Sequence, residues 1–264
     1  RSGLLVLGGE DGPIPERPIS VPQTIGLALR GYDGVWPGTT IGMGAESDVT
    51  LPPSVSESAV HHAQRVTAMS HQSLVIRSGF LTEAKSAAGA IASVLRCRPL
   101  FIETEKIAGM TPWLILRGLI PVFVIDLAPG ERRNMPEIPG YAGPVLAVTM
   151  SEGTVERNGR AVACWVVPVP TMQERRDLWH RAIGTRGSAD ALAKSHRHSS
   201  ARIQILGTLA RREAILQGRS TAGIDDVVAV SVSGVGIGLG TLAQPLCDPI
   251  PDKALVVPEA VQRE

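Results

Sequence analysis

The sequence predicts an α/β protein: a parallel-sheet core with helices on both faces, a β-hairpin and short helix ahead of it, and a small helical unit behind it. Three observations predict this. Beyond residue 73, apolar runs such as "SLVIR", "PLFIET" and "IPVFVID" alternate with helical stretches, the texture of a parallel sheet. Runs such as "PVFVI" are continuously apolar, as strands buried on both sides must be. From Gly184 to about residue 230 the pattern is helical throughout.

Taken in order, "GLLVLGGEDGPIPERPISV" sets two apolar runs around a Gly/Asp/Pro turn, a hairpin pattern. "SVPQTIGLALRG" reads as a short helix with Ser20 as N-cap, Pro22 in the first turn and Gly31 as the stop. Residues 32–54 are dense in Gly and Pro and read as a linker or irregular loop. "SVSESAVHHAQRVTAMS" is an amphipathic helix with a serine cap. "SLVIRSGFLTEAKSAAGAIASVL", residues 73–95, is strand, tight turn and small-residue helix. "PLFIET", "IPVFVID", "GPVLAVTMS" and "AVACWVVPVP" supply four more strands, with "MTPWLILRG" as a helix between the first two of these. "TMQERRDLWHRAIG" is a capped helix, and "SADALAKSH", "SSARIQILGTLARREAILQG" and "TAGIDDVVAVSV" complete the helical unit. In "SGVGIGLG" the closely spaced glycines disfavour continued helix. The expected division is a hairpin-helix segment and linker at 1–54, the α/β core at 55–184, a helical lid at 185–240 and a linker at 241–264.

Composition narrows the function classes. Hydrophobic content of 44% with 19% charged residues suits a folded domain, and aromatics at 3% leave the core to aliphatic side chains. The net charge of +1 argues against bulk nucleic acid or an anionic membrane surface as partner. Cys97, Cys164 and Cys247 are widely spaced and odd in number, which suits a reducing compartment. The longest apolar run, "GLIPVFVIDL", falls well short of the roughly 20 residues a membrane span needs. The expectation is a cytoplasmic protein.

The stretch carrying chemistry is the turn after "SLVIR". Gly79, four residues, then Ala84-Lys85-Ser86 match the phosphate-binding G-x-x-x-x-G-K-[ST] loop at every fixed position but one. Such loops converge backbone N–H groups on phosphate, with lysine as a point charge and serine on magnesium. Only 4 of the 26 basic residues are lysines, and Lys85 at a helix N-terminus opposes the macrodipole. The filling "FLTE" departs from the pattern: Glu83 brings a carboxylate toward phosphate, and Ala84 a methyl where the backbone must approach closely. The plain alternative is a capped strand-to-helix turn. Asp126 ends the strand in "PVFVIDLAP", where a carboxylate helps hold magnesium; an ordinary loop-starting Asp is the alternative. The pairs His61-His62 and His196/His198 lack partners at ligand spacing. No G-x-S-x-G supports a serine nucleophile.

With "VTMSEGTVERNGRAVACWVVPVPTMQERRDLW" added, the order of segments resembles the AAA ATPase core. The resemblance implies that Thr149 or Ser151 senses a γ-phosphate, and that Arg157 or Arg160 reaches a neighbouring subunit's nucleotide. It makes the segment after Gly184 the AAA lid, with Arg202 in "SSARI" as a sensor arginine. Gly79, Thr82, Lys85 and Ser86 would line the nucleotide, and Ser86 and Asp126 would hold the metal. Leu127 stands where hydrolysing members carry a water-activating Glu, which implies impaired hydrolysis. "GLLVLGG…PERPISVPQTIGLALRG" and the tail from Leu239 are similar to the bacterial winged-helix tandem AAA ATPases of contractile injection systems, whose first module is degenerate.

The reading is therefore a degenerate AAA-type nucleotide-binding module of an ATP-dependent protein-remodelling machine, with ATP and Mg2+ as cofactors and weak or absent hydrolysis. Its implied partners are AAA modules of the same or sister chains, and the tail would lead to a catalytic second module. The competing reading is a non-enzymatic scaffold binding sister modules or a substrate protein. A winged-helix DNA binder is disfavoured by near-neutral charge and by the lack of a basic recognition helix.

Overall fold

The computed structural model describes residues 4–8, 18–42, 49–68 and 73–239. Strand β1 (Val6–Leu7) pairs antiparallel with β2 (Ile19–Ser20), giving the opening hairpin. Helix α1 (Gln23–Leu29) follows. Ser20 lies in β2 rather than capping α1; Pro22 holds the N-cap position and supplies no side-chain bond. The Gly/Pro-dense stretch after α1 is not wholly irregular, because β3 (Thr39–Ile41) forms within it.

Helix α2 (Pro53–Ala68) precedes the core alternation: β4 (Ser73–Arg77), α3 (Leu81–Val94), β5 (Arg98–Ile102), α4 (Thr111–Arg117) and β6 (Leu119–Val124). Then come β7 (Arg132–Asn134), β8 (Val145–Thr149), β9 (Thr154–Arg157), β10 (Arg160–Ala161) and β11 (Cys164–Val166). The main sheet runs β11-β4-β8-β6-β5-β3, parallel throughout except for β3, which joins β5 antiparallel at the edge. A small sheet, β10-β9-β7, stands apart from it. The expected α/β class with a parallel core is what the chain adopts.

Strand periodicity divides the core. Leu74, Ile76, Ile120, Val122, Leu146 and Val148 face α2 and α3; Val75, Phe123, Val145 and Ala147 face α1, α4 and the small sheet. Helix α3 sits close to its face because its buried side is Ala84, Ala87, Ala88, Gly89 and Ala92. On the other face Trp113 is fully buried, stacks on Trp36 and donates Nε1–H to the Asp33 carbonyl at 2.6 Å. The Asp33 carboxylate receives Arg98 through both terminal guanidinium nitrogens and Arg117 through Nε and one terminal nitrogen, at 2.7–2.9 Å. These bonds tie the segment between α1 and β3 to the core, and those to Arg98 and then Arg117 hold the carboxyl well below its usual range.

The helical unit contains α5 (Met172–Ile183), α6 (Arg186–Ser195), α7 (Ser200–Leu216) and α8 (Ile224–Leu239), around Trp179, Leu192, Leu206 and Ala210. By packing, α5 groups with the helices after it. Its N-terminus carries a full capping box between Thr171 and Glu174, and Glu174 also accepts Ser54 N–H at 2.8 Å and Ser54 Oγ–H at 2.9 Å. Arg175, 8% exposed, donates to the carbonyls of Pro170 and Ala193, fastening the exit of β11 to α6. Contrary to the propensity argument, α8 runs through Gly234, Gly236 and Gly238; residue 240 and those after it lie outside the described residues. A helix already nucleated adds one bond per residue fixed, which offsets the glycine penalty. Among the described residues no helix is long and apolar enough to cross a membrane.

Candidate functional site

The carboxyl ends of β4 and β8 lie side by side, at the edge where open α/β sheets bind ligands, and α3 of the core meets α7 of the helical unit there. Only Ser78, Gly79 and Phe80 separate β4 from α3. Ser78 Oγ accepts Phe80 N–H at 3.2 Å, and the Phe80 carbonyl accepts Glu83 N–H at 3.1 Å and Ala84 N–H at 3.2 Å. The four residues Leu81–Ala84, which a phosphate-wrapping loop would leave open, are already the first turn of the helix.

Glu83 is 1% exposed, and its carboxylate accepts the Ser78 hydroxyl on one oxygen. The other oxygen accepts Ala201 N–H at 3.3 Å, in the first turn of α7. Ser199 caps the same turn by accepting Arg202 N–H at 3.3 Å. A buried carboxyl group thus lies between the N-termini of two helices, one of the core and one of the helical unit. Helix N-termini attract negative charge, and a buried carboxylate needs such donors.

The expected site residues are distributed around this contact. Gly79 is exposed, and a Cβ added there would meet nothing within 4 Å. Thr82 lines a cavity of about 290 Å3 beneath α7, together with Val49, Ala201 and Leu209. Lys85 reaches Glu103 at 3.1 Å and lies 5.3 Å from the centre of the Phe101 ring, directed toward β5. Ser86 is buried and donates its hydroxyl to the Thr82 carbonyl at 2.9 Å, inside the helix.

Thr149 ends β8 in register with Arg77, and its carbonyl accepts Ser78 N–H at 3.4 Å. Its side-chain oxygen is buried with no partner among the described residues. Asp126 is exposed, two residues past β6, with no bonded partner among the described residues. Arg160 is exposed in β10, on the small sheet, while Arg157 donates to Ser73 Oγ at the start of β4. Arg202 is half-buried, and its charge adds to that of His196 in lowering the affinity of His198 for a proton, where burial is the largest cause. The structure therefore gathers Gly79, Thr82, Lys85, Ser86 and Thr149 around one turn and leaves Arg160 on a separate sheet.

Sequence reasoning missed two participants. Arg77 donates to the carbonyls of Ser151, Glu152 and Gly153 at 2.9–3.2 Å, bracing the turn after β8. Glu83 is conspicuous in the sequence only as a departure from a phosphate loop, whereas its lid partner is 118 residues away. His62 stacks on Trp165 and His196 on His198, so these pairs act as packed rings.

A magnesium nucleotide needs free N–H groups around phosphate, an available ammonium and a metal-facing hydroxyl. Here the turn is helical, the ammonium is directed to Glu103, and the Ser86 hydroxyl is bonded within its own helix. The Glu83 carboxyl, bonded to the Ser78 hydroxyl and to Ala201 N–H, occupies the helix start. In this arrangement the residues do not fit a phosphate chain with its metal.

No family model matches the sequence, and no curated protein matches it. Among solved structures the chain is similar to a RuvB mutant from Thermotoga maritima, at 17% identity and a TM-score of 0.39, over 68% of each chain. The strand order and parallel register of the main sheet define the α/β fold.

Proposed function

We propose that this chain is an AAA-like module that does not hydrolyse nucleotide and acts as an interaction module within a larger assembly. The observation that carries this reading is Glu83: a buried carboxylate of the core bonded to the N-terminus of a lid helix. In a nucleotide-driven module the lid would respond to phosphate at this place. Here a carboxyl supplied by the chain itself bridges the core and the helical unit, which supports a relative position that does not depend on a ligand. Leu127, in place of a water-activating Glu, agrees with the loss of hydrolysis. The partners are sister modules or a protein substrate, and the exposed side chains Val166, Ile215, Leu216 and Val232 offer apolar contact area.

One observation favours the nucleotide-sensing reading: the buried, unpartnered Thr149 hydroxyl beside the Ser78 turn. Calorimetric titration of Mg·ATP into the whole chain decides between the two. The proposal expects no binding heat at millimolar nucleotide. Micromolar binding that disappears in Lys85→Ala would overturn it in favour of a living site.

A further inference from the structure

A second cavity, about 210 Å3, lies between α5, α7 and Thr50. Its lining is mostly polar, with an apolar patch contributed by Leu178, Ala182 and Ile203. Arg181 and Arg211 also line it, and both are exposed. The bonds they make are to backbone carbonyls: Arg181 Nε–H to Asp177 and an Arg211 terminal N–H to Arg181, each at 3.4 Å. Neither forms an ion pair among the described residues, and no Asp or Glu lines the cavity. Two guanidinium groups without a carboxylate partner, beside an apolar patch, make a place where negative charge is favoured and a small apolar group finds contact.

Ser200 supplies an independent pointer. It lines the same cavity, is 1% exposed, and its hydroxyl meets no hydrogen-bond partner among the described residues. Buried hydroxyls are ordinarily bonded. Turning χ1 of Ser200 toward the cavity gives up no bond and would present an O–H donor from the inner wall. Two further polar groups are already engaged: Gln204 Oε1 accepts Thr50 N–H at 3.1 Å, and Thr208 Oγ1 donates to the Gln204 carbonyl at 2.8 Å. Glu83, which bonds the neighbouring Ala201, directs its two oxygens to Ala201 N–H and the Ser78 hydroxyl.

We propose that this cavity binds a small oxyanion, a carboxylate or phosphate group carried on a short apolar body, with Arg181 and Arg211 holding the charge and Ser200 donating from within. The cavity volume of about 210 Å3 exceeds the roughly 150 Å3 that encloses a benzene ring, which leaves room for a group of that size. This inference does not depend on whether the chain binds nucleotide.

The test is calorimetric titration of the full chain with benzoate, phenyl phosphate and inorganic phosphate, and with adenosine and benzyl alcohol as uncharged controls. Benzoate or phenyl phosphate is expected to bind more tightly than inorganic phosphate, and binding should weaken as salt is raised. Arg181→Gln and Arg211→Gln should each lower affinity about tenfold, as the loss of one charge-assisted contact does. Ser200→Ala should lower it several-fold without destabilising the fold, because the hydroxyl it removes has no partner. Which of benzoate and phenyl phosphate binds better identifies the source of the anion. The proposal is overturned if neither binds at millimolar concentration, if the uncharged controls bind equally well, or if the arginine double variant binds unchanged while remaining folded.

Discussion

The carboxylate of Glu83, in the first turn of α3, accepts the backbone N–H of Ala201, in the first turn of α7, at 3.3 Å. This bond joins the core to the lid at the point where the sequence suggests a bound phosphate. Glu83→Ala would leave the Ala201 N–H and the Ser78 hydroxyl without their acceptor in a buried place. An unsatisfied buried polar group costs about 1–3 kcal/mol, so a loss in that range is expected. Hydrogen exchange should show it locally, as faster exchange at Ala201 with little change in β6. Unchanged protection at Ala201 would mean that the lid is held by its other contacts.

Lys85→Ala should behave differently. The lysine is 31% exposed on its side chain and its partner Glu103 is 60% exposed. Exposed ion pairs contribute about 0–1 kcal/mol, and the aromatic contact with Phe101 adds on the order of 0.5–1 at exposed sites. A small loss is therefore expected, within about 2 kcal/mol in total, and it should shrink in high salt. Urea denaturation at two ionic strengths measures both. A larger, salt-independent loss would place Lys85 in a buried structural role.

The contrast between these two residues shows what a sequence reader could reach. The strands were legible because burial on both faces writes itself as continuous apolar runs, in "SLVIR" and "PVFVI" alike. The place of Lys85 near the start of the helix after β4 was legible from spacing. What Glu83 does was not, because its partner lies 118 residues away and no local pattern encodes that distance. β3 was hidden for a different reason: a three-residue edge strand is held by its pairing with β5, and its flanks are Gly and Pro. The same holds for Asp33, an ordinary loop residue until Arg98 and Arg117 converge on it.

Asp226 gives the helical unit a pH dependence. The hydrogen bond from Arg219, then that from Gly223 N–H, lowers its carboxyl from an ordinary 3.8 to about 2. A carboxyl depressed in the folded state adds stability above its unfolded value and loses it as pH falls toward the folded value. The lid should thus weaken between about pH 4 and pH 2. Asp226→Asn should remove that part of the acid dependence and lower stability at neutral pH. Urea midpoints across the acid range test it, and an identical pH profile for the variant would refute the assignment.

Gly207 sets the distance between α5 and α7. A Cβ built there would lie 2.5 Å from the Ala182 Cβ and 3.3 Å from the Ala182 Cα. Two effects compete in Gly207→Ala. Replacing glycine inside a helix favours folding by about 1 kcal/mol. Forcing a methyl into a packed contact costs about 1–3 kcal/mol, because the obstruction here is a backbone-borne Cβ with no rotamer to move aside. The clash should win or nearly balance, for a net loss of up to about 2 kcal/mol. Because Ala182 also floors the α5–α7 cavity, the helices would be pushed apart there, and anion binding should change with stability. Thermal unfolding of the variant is the measurement. A gain of about 1 kcal/mol, the full propensity term, would mean that the helices separate freely and the close approach is not a constraint on the lid.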